Sequence, residues 1–235
     1  MRRRRLLLIS NSTAHGAGYL DHCAEALSEF LAGVSRVLFV PFALRDHDGY
    51  AAKARERFGR LGLGLESLHQ AADAVAAVNA AEAVFVGGGN TFRLLAALCG
   101  SGALAALRER AVGGMPYVGA SAGVNVACPT IRTTNDMPIV EPPSFAALDL
   151  VPFQVNPHYL DPDPGSTHQG ETREERLREY LEENDRPVVG LREGSMLWVA
   201  DGRVTLRGTA AARLFRRGHA PEEHPPGSRL DGLLA

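Results

Sequence analysis

Met115-Pro-Tyr-Val-Gly-Ala-Ser-Ala-Gly-Val-Asn-Val-Ala127 decides how this chain is read. The first part is an apolar run that ends at Gly119. The last part, from Ala122 to Ala127, is small and helix-compatible. Between them stands Gly119-Ala120-Ser121-Ala122-Gly123. The order is strand, sharp turn, helix, with a serine at the apex and its hydroxyl lifted clear of the sheet. The glycines leave room for the tight turn and for close helix packing. The N–H of Ala122 opens the helix, so it has no carbonyl one turn back and is free to meet an oxyanion. With 25 glycines in the chain, the same pattern also fits an ordinary strand-to-helix turn. The reading therefore depends on what the other segments supply.

Working outward, the first half alternates β-rich runs with helical patterns. Strands are expected at 5–10, 36–41, 63–68, 83–86 and 116–119. Leu20, Cys23, Ala24, Leu27 and Leu31 recur at helical spacing. Further helices are expected at 50–61, 71–81, 91–98 and 104–112. Strands alternating with helices predict a mostly parallel sheet covered on both faces. A long Pro-rich passage, 129–164, follows, and its Phe153-Gln-Val155 reads as a short buried strand. Thr172 and Glu175 form a capping box ahead of Leu177, Tyr180 and Leu181. Val188–Leu191 reads as a core strand. Asp201-Gly202 predicts a C-terminal β-hairpin between 196–200 and 203–206, and 212–215 adds an edge strand. Residues 1–217 read as a single α/β domain, and 218–235 as a flexible tail.

Composition bounds the function. The chain has 235 residues, enough for one continuous core, with 45% hydrophobic and 22% charged residues. A net charge of −2 gives no pull toward nucleic acid or anionic membrane. Met1-Arg-Arg-Arg-Arg5 starts like a signal peptide, but the apolar run behind it is too short. No segment approaches the ~20 apolar residues of a membrane span. Three scattered cysteines, Cys23, Cys99 and Cys128, argue against a disulfide framework and for the cytoplasm. Cys128 reads as a small buried hydrophobe. No metal-binding pattern is present, and no cofactor is expected.

In an open parallel sheet, sites form beyond the carboxyl ends of the strands. Ser121, Gly87-Gly-Gly-Asn90, His158 and Glu193 all follow strands. A serine needs a base, and histidine oriented by a carboxylate is the usual one. His158 and Glu193 fit those roles. The glycine loop has two readings: a phosphate cradle capped by Asn90 or Thr91, or an oxyanion-hole donor, from Gly88 or Gly89, that works with Ala122. The order Ser121, His158, Glu193 differs from that of α/β-hydrolases, where the acid precedes the histidine. The serine also stands where a glutaminase with a similar sheet would have cysteine.

Several stretches bear a resemblance. Gly119 to Val140, Gln154-Val-Asn-Pro-His158, Gly170-Glu-Thr-Arg-Glu-Glu-Arg176, Val86-Gly-Gly-Gly-Asn-Thr-Phe92 and Gly190-Leu-Arg-Glu-Gly194 closely resemble the peptidase E family of α-aspartyl dipeptidases. The similarity runs from about Leu6 to Phe215. It implies a flavodoxin-like, class I glutamine-amidotransferase-like α/β/α sandwich and a serine peptidase that cuts dipeptides with an N-terminal aspartate. The implied triad is Ser121, His158 and Glu193. An aspartate side chain needs a cation, and Arg173, Arg132 and Arg192 are candidates, Arg173 first. Asp136 or Glu171 would take the free α-amino group, and Asn90 is a further substrate-site candidate. The expected partner is a small peptide, with no nucleic acid or membrane, and the chain is a monomer or homodimer. Two departures stand out: Ala120 replaces a bulkier residue, and the tail after Gly218 is not family-like. The rival readings are a cyanophycinase-like or other β-aspartyl exopeptidase and a non-catalytic protein that binds an anionic metabolite.

Overall fold

Behind the N-terminal arginines, Leu6–Ile9 forms strand β1, and all four side chains are fully buried. An apolar run without alternation suits a strand covered on both faces. Burying side chains of this size stabilises by about 1.5–3 kcal/mol each. A computed structural model describes residues 4–234 apart from 164, 166, 168 and 169. The end of the 129–164 passage, the loop position of His168 and the first three residues of the signal-like start lie outside the described residues.

After β1 the chain forms α1 (Ala24–Phe30), β2 (Arg36–Val40), α2 (His47–Arg60), β3 (Gly64–Ser67), α3 (Ala74–Ala80) and β4 (Ala83–Val86). Then come α4 (Thr91–Gly100), α5 (Ala103–Val112), β5 (Tyr117–Ala120), α6 (Ala122–Ala127) and β6 (Gln154–Pro157). The last elements are α7 (Arg173–Glu183), β7 (Val188–Leu191), β8 (Ser195–Ala200), β9 (Arg203–Gly208), β10 (Ala212–Phe215) and β11 (Glu222–His224). Side-chain caps fix several helix starts. Asp46, Asp73 and Asn90 accept N–H groups of the first turns of α2, α3 and α4. The expected Thr172–Glu175 capping box opens α7.

Seven strands make the main sheet, in the order β3-β2-β4-β5-β1-β8-β9. The first five are parallel, and β8 and β9 are antiparallel additions. The β8–β9 turn is Asp201-Gly202, with φ of 53° and 72°, the twist that a two-residue hairpin requires. Tyr50, Ala51, Ala54 and Phe58 of α2 pack one face with Leu27 and Phe30 of α1. Residues of α3 to α6 cover the other face. The sheet is thus sandwiched between two helical layers, as expected.

The strands that carry His158 and Glu193 do not join that sheet. They form a second, four-stranded sheet in the order β11-β10-β7-β6. Its Val155, Val189 and Leu191 pack into the core shared with α6. Val188 faces Leu177 and Leu181 of α7, with Tyr159 and Phe215. The run Val188–Leu191 is apolar on both sides, which marks a central strand but does not say of which sheet.

Two further expectations are corrected. Strand β10 is internal, between β7 and β11, and not an edge. The segment after Gly218, read as a flexible tail because of its prolines, supplies β11 and buries Leu230 and Leu233. Its Leu230 N–H donates to Val204 O at 2.8 Å, and Asp231 accepts the Val204 N–H at 2.9 Å. In the 129–163 passage, Leu148, Leu150, Val151 and Phe153 are core residues, whereas Met137, Ile139 and Phe145 are exposed. Among the described residues no single helix is long and apolar enough to cross a membrane.

Candidate active site

Strand β5 delivers Ser121 to the rim of the main sheet. The Ser121 N–H donates to Ile9 O at 3.0 Å, which ties the turn to β1. The serine backbone has φ 52° and ψ −107°, outside the ordinary wells. Holding a non-glycine residue there costs of order 1–3 kcal/mol, and the surroundings must over-determine it. Gly123 does so by close packing: a Cβ on it would lie 2.2 Å from Val86 O. Helix α6 therefore lies directly on β4.

The hydroxyl meets an imidazole from the other sheet. Ser121 Oγ lies 3.0 Å from His158 Nε2, and His158 Nδ1 lies 2.6 Å from Glu193 Oε1. The His158 and Glu193 side chains are 37% and 50% exposed. The three groups form the chain of nucleophile, base and orienting carboxylate that acyl transfer requires.

Two residues that the sequence reading passed over join the sheets. Ser10, at the carboxyl end of β1, accepts the His158 N–H at 2.9 Å and donates its hydroxyl to Leu191 O at 2.7 Å. Asn11 accepts the N–H of Gly194, next to Glu193, at 2.9 Å and donates to Thr13 O at 3.0 Å. Both side chains are fully buried. The only sequence signal was a polar Ser-Asn pair at the end of an apolar strand, where such groups have reason to be buried only if partners satisfy them.

The glycine loop approaches the nucleophile closely. A Cβ on Gly88 would lie 3.0 Å from Ser121 Cβ. The Gly88 N–H, however, donates to Tyr50 Oη at 2.9 Å, so it is not free for an oxyanion. Gly89 makes no N–H hydrogen bond with the described residues. Its φ of 132° is glycine territory, and a Cβ would strike Ala43 O at 2.7 Å.

A 350 Å³ cavity opens beside the triad, lined by Ser121, Asn125, Asp136, His158, Arg173 and Glu193 among others. Arg173, at the start of α7, makes no ion pair with the described residues. Burial lowers its pKa, Arg176 adds to that, and Asp136 opposes it. Asp136 Oδ2 accepts the Thr91 N–H at 2.8 Å and the Thr91 hydroxyl at 2.6 Å, with Thr134 Oγ1 at 3.1 Å.

The other candidates lie elsewhere. Arg192 is bound to Asp161, Glu223 and the Ala211 carbonyl, and those carboxylates push its pKa up. It is a structural clamp between the two sequence halves of the second sheet. Arg132 lies over the Phe145 ring at 5.2 Å, in a neighbouring groove. Glu171 pairs with Arg176 at 3.4 Å and does not line the triad cavity. Asn90 is engaged at both ends, as the cap of α4 and as a donor to Met137 O at 2.8 Å. Cys128 is fully buried, and burial pushes its thiol up to about 12. Among the described residues no group of three or more His, Cys, Asp or Glu is placed to hold a metal ion.

Comparison with known proteins fits this geometry. The model of peptidase family S51 matches residues 6–207. A peptidase E of Streptomyces coelicolor is 60% identical over 229 residues, 97% of this chain and 94% of that one. A probable alpha-aspartyl dipeptidase of Drosophila melanogaster is 50% identical over 234 residues, 98% of each. A crystal structure of a putative peptidase E from Listeria monocytogenes shares the fold, with TM-score 0.67 at 22% identity, covering 88% of this chain and 99% of that one. With the elbow, Ser121, His158 and Glu193 all inside the matched span, this chain belongs to peptidase family S51.

Proposed function

We propose that this protein is a serine-type dipeptidase that hydrolyses Asp-X, through Ser121, His158 and Glu193. The observation that carries the reading is the continuous contact from Ser121 Oγ to His158 to Glu193, across two sheets. Ser121 attacks the carbonyl carbon while His158 Nε2 takes the hydroxyl proton. Glu193 holds the Nδ1 proton and so fixes the tautomer that leaves Nε2 basic. The N–H groups of Ala122 and Gly89 receive the oxyanion. Each donor of this kind is worth about 10²–10³ in kcat. His158 then protonates the leaving amine. Water, deprotonated by the same imidazole, releases aspartate from the acyl-enzyme.

Specificity is assigned to the cavity's charges. Arg173 is a half-buried cation without a carboxylate partner among the described residues, and a guanidinium takes a carboxylate through two parallel hydrogen bonds. Asp136 uses Oδ2 for Thr91 and presents its charge to the α-ammonium. The two groups stand in the same cavity as the nucleophile. The free thiols of Cys23, Cys99 and Cys128 support a cytoplasmic setting.

The test is turnover of Asp-Leu, Asn-Leu and β-aspartyl-leucine by wild type, Ser121→Ala and Arg173→Met. Ser121→Ala is expected to lose activity by on the order of 10⁴-fold or more. Arg173→Met is expected to cut kcat/KM for Asp-Leu by about 10²-fold while Asn-Leu changes little. Equal losses on Asp-Leu and Asn-Leu would remove Arg173 from the specificity role. Faster turnover of the β-linked peptide would replace the α-aspartyl reading.

A further inference from the structure

A second cavity of 370 Å³ lies next to the Gly88-Gly89 loop and shares no lining residue with the Arg173 cavity. Its lining includes Tyr19, Leu44, Tyr50, Lys53 and Gly88. Tyr19 and Tyr50 belong to the core on the α2 face, whereas Asn125 of the first cavity stands on α6, which packs on the other face. Gly88 is the partition. Its backbone borders the second cavity, and its absent Cβ would lie 3.0 Å from that of Ser121.

Lys53 is the sole lysine of the chain. Its ammonium lies 4.7 Å from the Tyr19 ring centroid and makes no ion pair with the described residues. Asp46, the acid on the same rim, is committed to the α2 cap, where Oδ1 accepts the Gly49 N–H at 2.9 Å. An unpaired cation over an aromatic face, next to an apolar wall and one backbone away from a serine nucleophile, suits a carboxylate carried on an apolar group.

Resting on the dipeptidase reading, the geometry points to this cavity as the seat of the residue after aspartate. Lys53 takes its C-terminal carboxylate, and Tyr19 and Leu44 take its side chain. The substrate then straddles the rim, with aspartate at Arg173, the scissile bond at Ser121 and the leaving amino acid at Lys53. Only in a dipeptide is the leaving residue also the carboxyl terminus. A cation in this cavity therefore selects short substrates by charge.

The test compares wild type, Lys53→Met and Lys53→Arg on Asp-Leu and Asp-Leu amide. Lys53→Met is expected to raise KM for Asp-Leu roughly five-fold with kcat held, an effect sized for a solvent-exposed ion pair. The amide shows no such rise, and Lys53→Arg restores the wild-type KM. An equal effect on acid and amide, or none on either, overturns the proposal. A second measurement does not need turnover. In the Ser121→Ala protein, acetylation of Lys53 by an N-hydroxysuccinimide ester is read by mass spectrometry, with and without peptide. Asp-Leu is expected to slow labelling and Asp-Leu amide is not; identical labelling with both sinks the subsite. If wild type leaves Asp-Leu intact, the peptidase reading fails, and the labelling result still decides whether the cavity binds a carboxylate.

Discussion

The main sheet and the second sheet hold their parts of the proposed triad by different physics. Positive φ is common to both, 52° at Ser121 and 53° at His158, but Ser121 is further held by backbone: a tie to β1 and a helix packed against β4 through a glycine. His158 and Glu193 stand half-exposed on another sheet and are held in register by the side chains of Ser10 and Asn11. Ser121 is thus secured by shape, and the proposed base, His158, by buried polar groups. Shape fails all at once when a Cβ is added. Polar positioning fails by degrees, as the base drifts from the hydroxyl.

The largest effect should come from Gly123→Ala. The new Cβ, 2.2 Å from Val86 O, has rigid backbone as its neighbour. Destabilisation of about 3 kcal/mol or more is expected, read as a drop in the urea midpoint. A midpoint within the error of wild type would break the claim that shape holds the nucleophile. Ser10→Ala comes next. It removes the acceptor of the His158 N–H and leaves that group buried. A fall of about ten-fold or more in kcat is expected, with KM for Asp-Leu little changed, because misplacement of a reacting group acts on the chemical step. Ser10→Thr, which keeps the hydroxyl, is expected to recover most of it. A loss confined to KM would contradict the positioning role.

The smallest effect concerns pH. Burial holds the pKa of His22 below the usual histidine range, against the pull of the Asn11 backbone and of the Glu193 and Asp21 carboxylates. In the pH range between the folded and unfolded values, the unfolded chain binds the proton that the folded one refuses. The contribution of His22 to stability is therefore whole above the unfolded value, near 6.5, and falls as pH drops toward the folded value. Melting temperature should decline from pH 7.5 to 5.5, and His22→Gln should flatten that decline. An unchanged slope in the variant would show that the imidazole is not what makes this seam acid-sensitive.

The legibility of the molecule follows the same division. The elbow at Ser121 was readable because a positive φ and a close helix call for particular small residues at fixed spacing. The capping box of α7 and the Asp201-Gly202 hairpin were readable for the same reason. The bonds that Ser10 and Asn11 make to His158 and Gly194 span 148 and 183 positions, and no period or spacing encodes such a pairing. The loss of Gly88 as a donor was equally hidden, since it depends on Tyr50 arriving from α2.

By itself the sequence determined the local devices: which strands are buried, where the serine elbow sits, and the residue types able to serve as base and acid. The tertiary structure alone decided that two sheets share the site, that the Gly88 N–H is taken by Tyr50, and that Arg173 makes no ion pair with the described residues where Arg192 is clamped. The reason is physical. Backbone conformation is set by a residue and its neighbours, whereas the partner of a polar side chain is set by whatever the folded core brings against it.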